Sequence, residues 1–482
     1  MRIALLFPLW TEEYGNISHF AKKAGHFPPL NLAFLAAYAE RKGHTVIIID
    51  GEVEGLSINA MVERVQNFNP DLIGITATTP FYHIAVELGN ALKKVINAPI
   101  CIGGPHITIL KEKSFEKSFD YAFINEADNS WNEFLDKFEK NGNIEDVKGL
   151  LLRKENEVIF TGAPTPCKDV NKIVIPARHL LKNELYNLGT IKGLKKFTTI
   201  MTVRGCPFNC IFCSTKVFGK DIRRRSPELV IREIKECIDK FGIEHFMFLD
   251  DTLTLHRQHI MDICDLIIKE NLNITFEGST RANLVDEELI KKMTDAGLIR
   301  LSFGLESVDE TIRETMKKMV PLESYIVANK LTNKFGIETL NSCMIGLPGE
   351  SYETVKKTLA FLRRSKEIKQ ANISIAVPYP GTELFEMAKN GENGLKLETE
   401  DFSKYRRYNA AVMTVGELSP EKLLDIQNEA FASIYLAPWR WEPMIRKSGA
   451  MGALLTFNRL VNCLKKGDTR YLTNNQLGIE ED

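Results

Sequence analysis

Two series of short apolar runs, each alternating with amphipathic stretches, dominate this sequence and leave few folds open to it. The runs of the first series are rich in β-branched residues and lie at 3–7, 46–50, 72–76, 100–104 and 121–125. They are continuously apolar, which is typical of strands covered on both faces of a parallel sheet. The pattern predicts an α/β fold whose N-terminal domain, residues 1–148, is a doubly wound, Rossmann-like sheet with its ligand at the carboxyl ends of the strands.

A second series follows a segment, 149–195, that we interpret as a linker. Its strands are expected at 198–203, 245–249, 274–278, 300–305, 339–345 and 373–377, with helices between them. Ser226 and Pro227 give the first helix an N-cap and a favourable first residue. Six such units predict a partial (β/α)6 barrel of the TIM type over residues 196–385. Residues 386–482, which include Trp439 and Trp441, are predicted to form a mainly helical domain that covers the substrate.

The charge balance excludes several classes of partner. The 482 residues include 62 Lys+Arg and 63 Asp+Glu, so no overall field attracts nucleic acid or an anionic membrane. The segment 1–10 has no small-residue cleavage site, and the apolar stretch 452–464 is too short to cross a bilayer. We therefore expect a cytoplasmic protein without a membrane span, acting on a small or lipid-like molecule. The basic run 223–225 is expected to be a solvated loop, with a phosphate contact as the alternative.

Three of the nine cysteines crowd into one segment directly after the first strand of the second series. Cys206, Cys210 and Cys213 have the spacing C-x3-C-x2-C, and thiolates select zinc, Cu(I) or iron–sulfur clusters. A structural zinc site needs four protein ligands, and no second Cys or Cys/His pair follows at a usable distance. The spacing therefore favours an iron–sulfur cluster with one open iron over a closed zinc site or three unrelated loop thiols.

This motif, with Phe212 before its last cysteine and its place after the first strand of a βα barrel, resembles that of the radical S-adenosylmethionine (SAM) enzymes. The resemblance implies a four-iron four-sulfur (4Fe-4S) cluster held by Cys206, Cys210 and Cys213, whose open iron binds the amino and carboxylate groups of SAM. One-electron reduction then cleaves the sulfonium to a 5′-deoxyadenosyl radical inside a barrel that excludes water. An electron donor such as flavodoxin or ferredoxin is also implied.

Five further segments, at 225–228, 248–252, 304–307, 344–350 and 378–382, are similar to the family branch that carries an N-terminal cobalamin-binding domain. By that resemblance the SAM contacts are Phe212, Asp250, Ser279, Arg281, Glu306 and Ile345. Ser279 and Arg281 are expected to meet the carboxylate or ribose of SAM, and Glu306 its ribose hydroxyls. An ordinary buried ion pair between Arg281 and Glu306 is the alternative. Asp250-Asp251 replaces the Gly-Gly-Glu of many members, so no residue is assigned to the methionine amine.

The N-terminal domain resembles the cobalamin-binding half of the same enzymes. The implied cobalamin contacts are Pro29, Leu30, Thr76, Thr78, Thr79, Gly103, Gly104, Pro105 and Glu126. None of the nine histidines has Asp two residues before it, so the Asp-x-His-x-x-Gly motif is missing and base-off cobalamin without a His ligand to cobalt is expected. His106 is expected to be a hydrogen-bonding loop residue. Without the family, such a sheet could hold another nucleotide-like ligand or none; the first strand lacks G-x-G-x-x-G, which disfavours a nicotinamide cofactor.

These features lead to one hypothesis and three alternatives. The hypothesis is a cobalamin-dependent radical SAM methyltransferase that modifies an unactivated carbon of a small-molecule or lipid-like substrate through a 5′-deoxyadenosyl radical and methylcobalamin. The first alternative is a non-methylating cyclase or rearrangement enzyme. The second is an RNA methylthiotransferase, disfavoured because Cys101 and Cys167 are isolated and nucleic acid is not expected. The third is a non-catalytic sensor that holds a cluster and a corrinoid.

Overall fold

The computed structural model describes residues 1–11, 25–155, 157–188, 196–214, 219–435 and 437–440. They divide into two compact units. The first unit draws on Met1–Ser18, His26–Asn187 and Ser214–Arg225, and the second on His19–Gly25, Leu188–Cys213 and Ser226–Asp482. The chain therefore returns to the first unit for one short segment directly after Cys213. The division at Asn187 lies inside the predicted linker, and the finer domain bounds stay predictions.

The strands alternate with helices along most of the chain. The strands are β1 (Arg2–Phe7), β2 (Thr45–Asp50), β3 (Leu72–Thr76), β4 (Ile100–Gly103), β5 (Tyr121–Phe123), β6 (Leu150–Lys154), β7 (Glu157–Phe160), β8 (Phe197–Ile200), β9 (Val203–Arg204), β10 (Arg223–Arg224), β11 (His245–Phe248), β12 (Thr275–Thr280), β13 (Leu298–Glu306), β14 (Glu338–Ile345), β15 (Gln370–Ile375), β16 (Leu395–Leu397) and β17 (Met413–Val415). The helices are α1 (Leu30–Arg41), α2 (Gly51–Glu54), α3 (Ile58–Phe68), α4 (Tyr82–Lys93), α5 (Pro105–Leu110), α6 (Asp128–Glu139), α7 (Pro227–Phe241), α8 (Arg257–Lys269), α9 (Glu287–Asp295), α10 (Glu310–Thr315), α11 (Leu322–Lys334), α12 (Tyr352–Arg364), α13 (Glu383–Asn390) and α14 (Pro420–Tyr435).

The sheet of the first unit has seven strands in the order β2-β1-β3-β4-β5-β6-β7. β1 to β5 run parallel, whereas β6 and β7 add to β5 as an antiparallel hairpin. The four central residues of β1 are all buried, as expected where both faces of a parallel sheet are covered. The predicted doubly wound sheet is confirmed. Part of the segment that we interpreted as a linker forms the hairpin at its edge.

The second unit is built on six parallel strands in the order β15-β14-β13-β12-β11-β8. Chain neighbours are sheet neighbours throughout, and helices connect them, so the predicted partial barrel is confirmed. The first of these helices, α7, begins where sequence patterns placed it. Ser226 accepts a hydrogen bond from the Leu229 N–H at 3.4 Å, and Gly242 ends the helix with a φ of +64°.

The described part of the C-terminal region packs on the barrel. α14 buries Leu423 and Ile426 in the same apolar core as the barrel strands, and Gln427 Nε2 donates to Ile373 O in β15 at 2.9 Å. β16 and β17 pair antiparallel, so the region contains a hairpin besides its helices. Trp441 and the stretch 452–464 lie outside the described residues. Within the described ranges, every helix is too short or too polar to cross a bilayer.

Candidate active site

The three cysteines lie in a loop, residues 205–214, that we call the cysteine loop and that leaves the carboxyl end of β8 through β9. Gly205 opens it with a φ of +94°, a conformation that favours glycine. Buried Ile211 anchors its middle. The Ile211 N–H donates to Met316 O at 3.2 Å, and the Ile211 carbonyl accepts from the Leu384 N–H at 3.0 Å. The loop is therefore held through its backbone, which leaves the thiols for a ligand.

The thiols of the cysteine loop lie close enough to influence one another. Burial and then the neighbouring carboxylate of Asp251 raise the pKa of Cys206, with Cys210 acting in the same direction, while hydrogen bonds from the Phe208 N–H and the Thr252 hydroxyl lower it. The residue Cys213 is exposed as a whole, but its thiol is largely surrounded by protein. This burial raises the pKa of the thiol to about 12, and Asp251, Cys210 and Cys206 act in the same direction. Without a metal, Cys206 and Cys213 therefore stay protonated at neutral pH, and coordination would have to release their protons.

The arrangement fits a cluster better than a single metal ion. Among the described residues no three potential ligands converge closely enough to hold one ion. In a 4Fe-4S cluster each thiolate binds a different iron, so its three ligands must surround a group of atoms rather than meet at a point. Three mutually interacting thiols on one backbone-anchored loop meet that requirement. The donor set is also the soft one that iron–sulfur clusters take.

Arg281, one of the predicted SAM contacts, lies against the cysteine loop. Its guanidinium carbon is 3.7 Å from the centroid of the Phe208 ring, which is cation–π stacking. Its Nη2 donates to the carbonyl of Lys318. The side chain is buried, and its Nε has no hydrogen-bond partner among the described residues. A buried guanidinium with an unused donor beside the cysteine loop is well suited to an anionic ligand group.

Glu306, another predicted SAM contact, ends β13 with a left-handed backbone, φ +60°. The register of β13 against β14 shifts between Gly304 and Glu306, so a bulge re-aims the chain at this point. The buried carboxylate pairs with buried Lys318, with Nζ and Oε1 3.2 Å apart. A Cβ at position 304 would collide with both charged groups. The alternative pairing of Glu306 with Arg281 is therefore not what the structure shows.

The two adjacent aspartates after β11 have different surroundings. Asp250 is buried and accepts hydrogen bonds from the Thr202 and Val203 N–H groups at 2.6 and 3.0 Å, and from the Thr202 hydroxyl. Burial raises its pKa to about 6. Its carboxylate thus braces the segment that leads into the cysteine loop, and its predicted contact with SAM stays a prediction. The neighbouring Asp251 is the carboxylate that raises the pKa of Cys206 and Cys213, which sequence reasoning did not anticipate.

The remaining predicted SAM contacts lie on the same strands. Phe212 packs partly buried against the barrel core, with Lys318 Nζ 5.9 Å from its ring centroid. Ser279 is exposed near the end of β12. Ile345 ends β14 with its side chain in the core. Just beyond it, Glu350 is buried and accepts from two N–H groups of the turn at residues 346–347, and burial raises its pKa to about 8.

In the first unit, most of the predicted cobalamin contacts lie where β3 and β4 end and α1 begins. Thr76 and Thr79 are buried and Thr78 is exposed, and the Thr76 hydroxyl accepts from Asn31 Nδ2 at 2.9 Å. Pro29 and Leu30 are buried at the start of α1, while Gly103, Gly104 and Pro105 join β4 to α5. Gly104 has a φ of +116°, and a Cβ there would collide with the Ala77 carbonyl. This edge therefore offers neutral groups and close backbone approach.

Glu126 is the charged member of the predicted cobalamin set, and it already has a partner. Arg223 binds its carboxylate with both terminal nitrogens, Nη1 to Oε2 at 2.8 Å and Nη2 to Oε1. Arg223 and Arg225 are buried, and only Arg224 of the basic run is exposed. The expectation of a solvated basic loop was therefore wrong, because a bidentate carboxylate offsets the cost of burying the guanidinium.

His106 lies at the start of α5, next to the predicted cobalamin contacts. Its ring centroid is 4.2 Å from that of Tyr82, and the Tyr82 hydroxyl donates to Ser114 O at 2.5 Å. Burial lowers the pKa of His106 to about 4. The imidazole is therefore neutral at physiological pH and packed on an aromatic ring.

The first strand of the barrel leads into a loop that carries three thiols, and buried charged side chains lie near this loop. This arrangement is typical of enzymes that use a protein-bound cluster and a charged cofactor. Residues 200–362 match the Radical SAM superfamily, and residues 20–135 match the B12 binding domain. The first match falls mostly in the second unit and the second match mostly in the first unit. The chain belongs to the B12-binding radical SAM enzymes, and its cofactors are a 4Fe-4S cluster, SAM and cobalamin.

Individual relatives agree with this assignment. An uncharacterized methyltransferase, PH0819, of Pyrococcus horikoshii is 35% identical over 85% of this chain and 88% of its own length. An anaerobic magnesium-protoporphyrin IX monomethyl ester cyclase of Rubrivivax gelatinosus is 29% identical over 84% of this chain and 73% of its own. Among solved structures, the radical SAM methyltransferase TsrM of Kitasatospora setae, with cobalamin and a cluster bound, superposes with a TM-score of 0.72 at 16% identity, covering 97% and 98% of the two chains. At that identity the structure supports the fold alone.

Proposed function

We propose that this enzyme activates an unreactive carbon of a small or lipid-like substrate with a 5′-deoxyadenosyl radical and then methylates that carbon. When bound, the cluster supplies the electron that cleaves SAM, and cobalamin carries the methyl group to be transferred. The observation that supports the proposal most is the stacking of Arg281 on Phe208 of the cysteine loop. It brings a buried cation with an unused Nε to the loop that carries the thiols.

Each residue of the second-unit site has a proposed task. Cys206, Cys210 and Cys213 hold the cluster, and Arg281 binds the carboxylate of SAM with its free donor. Glu306 accepts from the ribose hydroxyls, and its ion pair with Lys318 holds its carboxylate in position. Asp250 holds the backbone of 202–203 in place and thereby aims the cysteine loop.

Cobalamin is proposed to bind at the carboxyl edge of the first sheet, base-off and without a histidine ligand to cobalt. The proposal rests on the neutral edge around Thr76 and Gly104 and on His106, which is packed against Tyr82. Electron paramagnetic resonance of the bound cob(II)alamin tests it. Splitting of the cobalt lines by a coordinated nitrogen would contradict it, and the variant His106→Phe would show whether that nitrogen comes from this residue.

The names of two relatives support an apolar substrate. Relatives named hopanoid C-3 and C-2 methylases share 26% and 22% identity over 80% of this chain. We therefore favour a lipid-like substrate over a small polar one.

The decisive experiment uses the anaerobically reconstituted enzyme with hydroxocobalamin, SAM and dithionite. Release of 5′-deoxyadenosine is expected from the wild type and not from Cys206→Ala, Cys210→Ala or Cys213→Ala. Comparison of metabolites from cells with and without the gene supplies candidate substrates. A product heavier by one methyl group supports the proposal. A product that has lost two hydrogens or gained oxygen favours a non-methylating cyclase, the activity that the Rubrivivax relative's name gives.

The positions of the cysteines argue against an RNA methylthiotransferase, and the 5′-deoxyadenosine experiment tests for a non-catalytic sensor. The methylthiotransferase needs a second cluster in the N-terminal domain, but Cys101 is buried in β4 and Cys167 is a single, partly exposed thiol. A non-catalytic sensor would release no 5′-deoxyadenosine at all.

We further propose that the enzyme works in the cytoplasm with a flavodoxin-like or ferredoxin-like electron donor. Turnover with a reduced flavodoxin in place of dithionite tests the donor.

A further inference from the structure

Lys318 is a buried cation whose position is enforced by unusual backbone geometry. Lys317 and Met319, on either side of it, both have left-handed φ values, +56° and +52°. Neither residue favours that conformation, and such strain persists where the surroundings require it. As a result, the three neighbouring side chains of residues 317–319 differ in their exposure to solvent. Lys317 pairs with Glu383 in solvent and Met319 is exposed, whereas Lys318 is only 8% exposed.

The contacts of Lys318 tie it to the cysteine loop. Its Nζ lies 5.9 Å from the ring centroid of Phe212, the residue before Cys213, and 3.2 Å from Glu306 Oε1. Its carbonyl accepts from Arg281, which itself stacks on Phe208 of the loop. The ammonium therefore lies against the loop where a cluster would sit.

A buried charge beside the loop that carries the thiols affects a redox centre bound to that loop. Taking an ammonium out of water is costly unless a counter-ion compensates, and Glu306 provides that counter-ion. Inside the protein the field of the ammonium is screened far less than in bulk water. Reduction adds one electron, and hence one negative charge, to the cluster and its three thiolates. A neighbouring cation stabilises that added charge.

We propose that Lys318 tunes the cluster: its buried ammonium, held in place by Glu306 and by the backbone of residues 317–319, favours the reduced state. The inference rests on the proposed cluster ligands Cys206, Cys210 and Cys213. One electron passes from the low-potential donor to the oxidised cluster, and no proton or bond changes in that step. Lys318 is a positioning residue, since it acts on the cluster through its charge and is not a ligand.

The test is a redox titration of the reconstituted holoenzyme without SAM, followed by the signal of the reduced cluster. Lys318→Met is expected to lower the ratio of reduced to oxidised cluster about tenfold at a fixed solution potential, which equals a downward shift of about 59 mV for one electron. Lys318→Arg keeps the charge and is expected to stay within about twofold of the wild type by the same relation. Lys317→Met, which removes an exposed lysine one residue away, is the matched control and should not shift the titration.

Lys318→Gln covers the case in which Lys318→Met fails to fold, because its amide can still donate to Glu306. A wild-type titration in either neutral variant, at full iron content, would overturn the proposal. So would loss of the cluster from a folded Lys318→Gln protein, since Lys318 would then serve assembly rather than the potential. If the wild type itself fails to assemble a cluster, the proposed function fails instead, and iron and sulfide analysis distinguishes the two results.

Discussion

The carboxyl edges of the two parallel sheets are built from the same strand–helix units but present different chemistry. In the second unit, a buried arginine and a buried lysine lie against aromatic rings of the cysteine loop, and the carboxylate of Asp251 acts on its thiols. In the first unit, the predicted ligand residues are hydroxyls, glycines and prolines, and the charge of Glu126 is already paired with Arg223. Charged groups suit a cluster and the ionic cofactor SAM, whereas a bulky, amide-rich ligand is held by shape and neutral hydrogen bonds. The architecture is shared, and the side chains at the strand ends decide the ligand.

Loss of a cluster ligand should produce the largest difference between the carboxyl edges of the two sheets. Cys206→Ala is expected to abolish the iron content and the release of 5′-deoxyadenosine, because two thiolates cannot replace three, while cobalamin retention is unchanged. Iron analysis, chromatography of the nucleoside and the visible spectrum measure the three quantities. Cys167→Ser removes a thiol of the first unit and serves as control. Release of 5′-deoxyadenosine by the Cys206 variant would contradict the proposed role of Cys206 as a cluster ligand.

Breaking the buried ion pair of the first unit should cost about 3–5 kcal/mol in the free energy of unfolding. Arg223→Met leaves the carboxylate of Glu126 buried and without its bidentate partner. Urea unfolding measures the loss. The double variant Arg223→Met with Glu126→Leu removes both charges and should regain much of the stability. An Arg223→Met protein as stable as the wild type would mean that solvent reaches Glu126.

A side chain at position 104 should lower cobalamin binding at the first sheet and leave the cluster site of the second unit unchanged. Gly104→Ala forces Cβ against the Ala77 carbonyl at a φ of +116°, so a loss of about 1–3 kcal/mol in unfolding free energy is expected. Cobalamin retention should fall with it, and the iron content should not. The adjacent Gly103→Ala is the matched control for the unfolding free energy alone, because a Cβ there meets no protein atom within 4 Å. Equal losses of unfolding free energy in the two variants would contradict this prediction.

A smaller effect compares two buried aspartates, one in each unit. Burial raises the pKa of Asp50, at the end of β2, and of Asp250, after β11, to about 6 from a usual value of 3.8. The folded state then holds its proton more tightly than the unfolded state, so each aspartate stabilises the fold at low pH. That contribution is lost as the pH rises from about 4 to about 6.

Each unit of pKa shift corresponds to about 1.4 kcal/mol, and a decline of at least that size is expected across this range. Urea unfolding at several pH values, with Asp50→Asn and Asp250→Asn as references, measures the difference in stability between wild type and variant. A difference that grows with pH in either case would show that the aspartate is stabilised in its ionised form instead.

Sequence patterns predicted the strand series well because burial on both faces imposes continuous apolar runs. The predicted runs at 72–76 and 245–249 overlap β3 and β11 almost residue for residue. The cysteine spacing was equally informative, since its ligands are close in the chain and need no tertiary information. The hairpin β6–β7 was less clear, because an edge pair carries fewer apolar residues than a central strand.

The charged partners could not be predicted, because they depend on distant segments. Glu126 and Arg223 are 97 positions apart, and Glu306 pairs with Lys318 instead of Arg281 only because a bulge and two left-handed residues redirect the chain. The short segment Lys317–Lys318–Met319 carries no motif that distinguishes its buried lysine from its exposed one. Burial is set there by backbone geometry, which composition does not reveal.

The short return of Ser214–Arg225 to the first unit bears on how this protein could be divided or recombined. A fragment that ends at Asn187 contains the whole seven-stranded sheet but leaves Glu126 without Arg223. A fragment that begins at Leu188 carries the thiols together with a piece of its neighbour. Because this segment belongs to the first unit, an exchange of domains between such proteins would have to carry the segment with that unit.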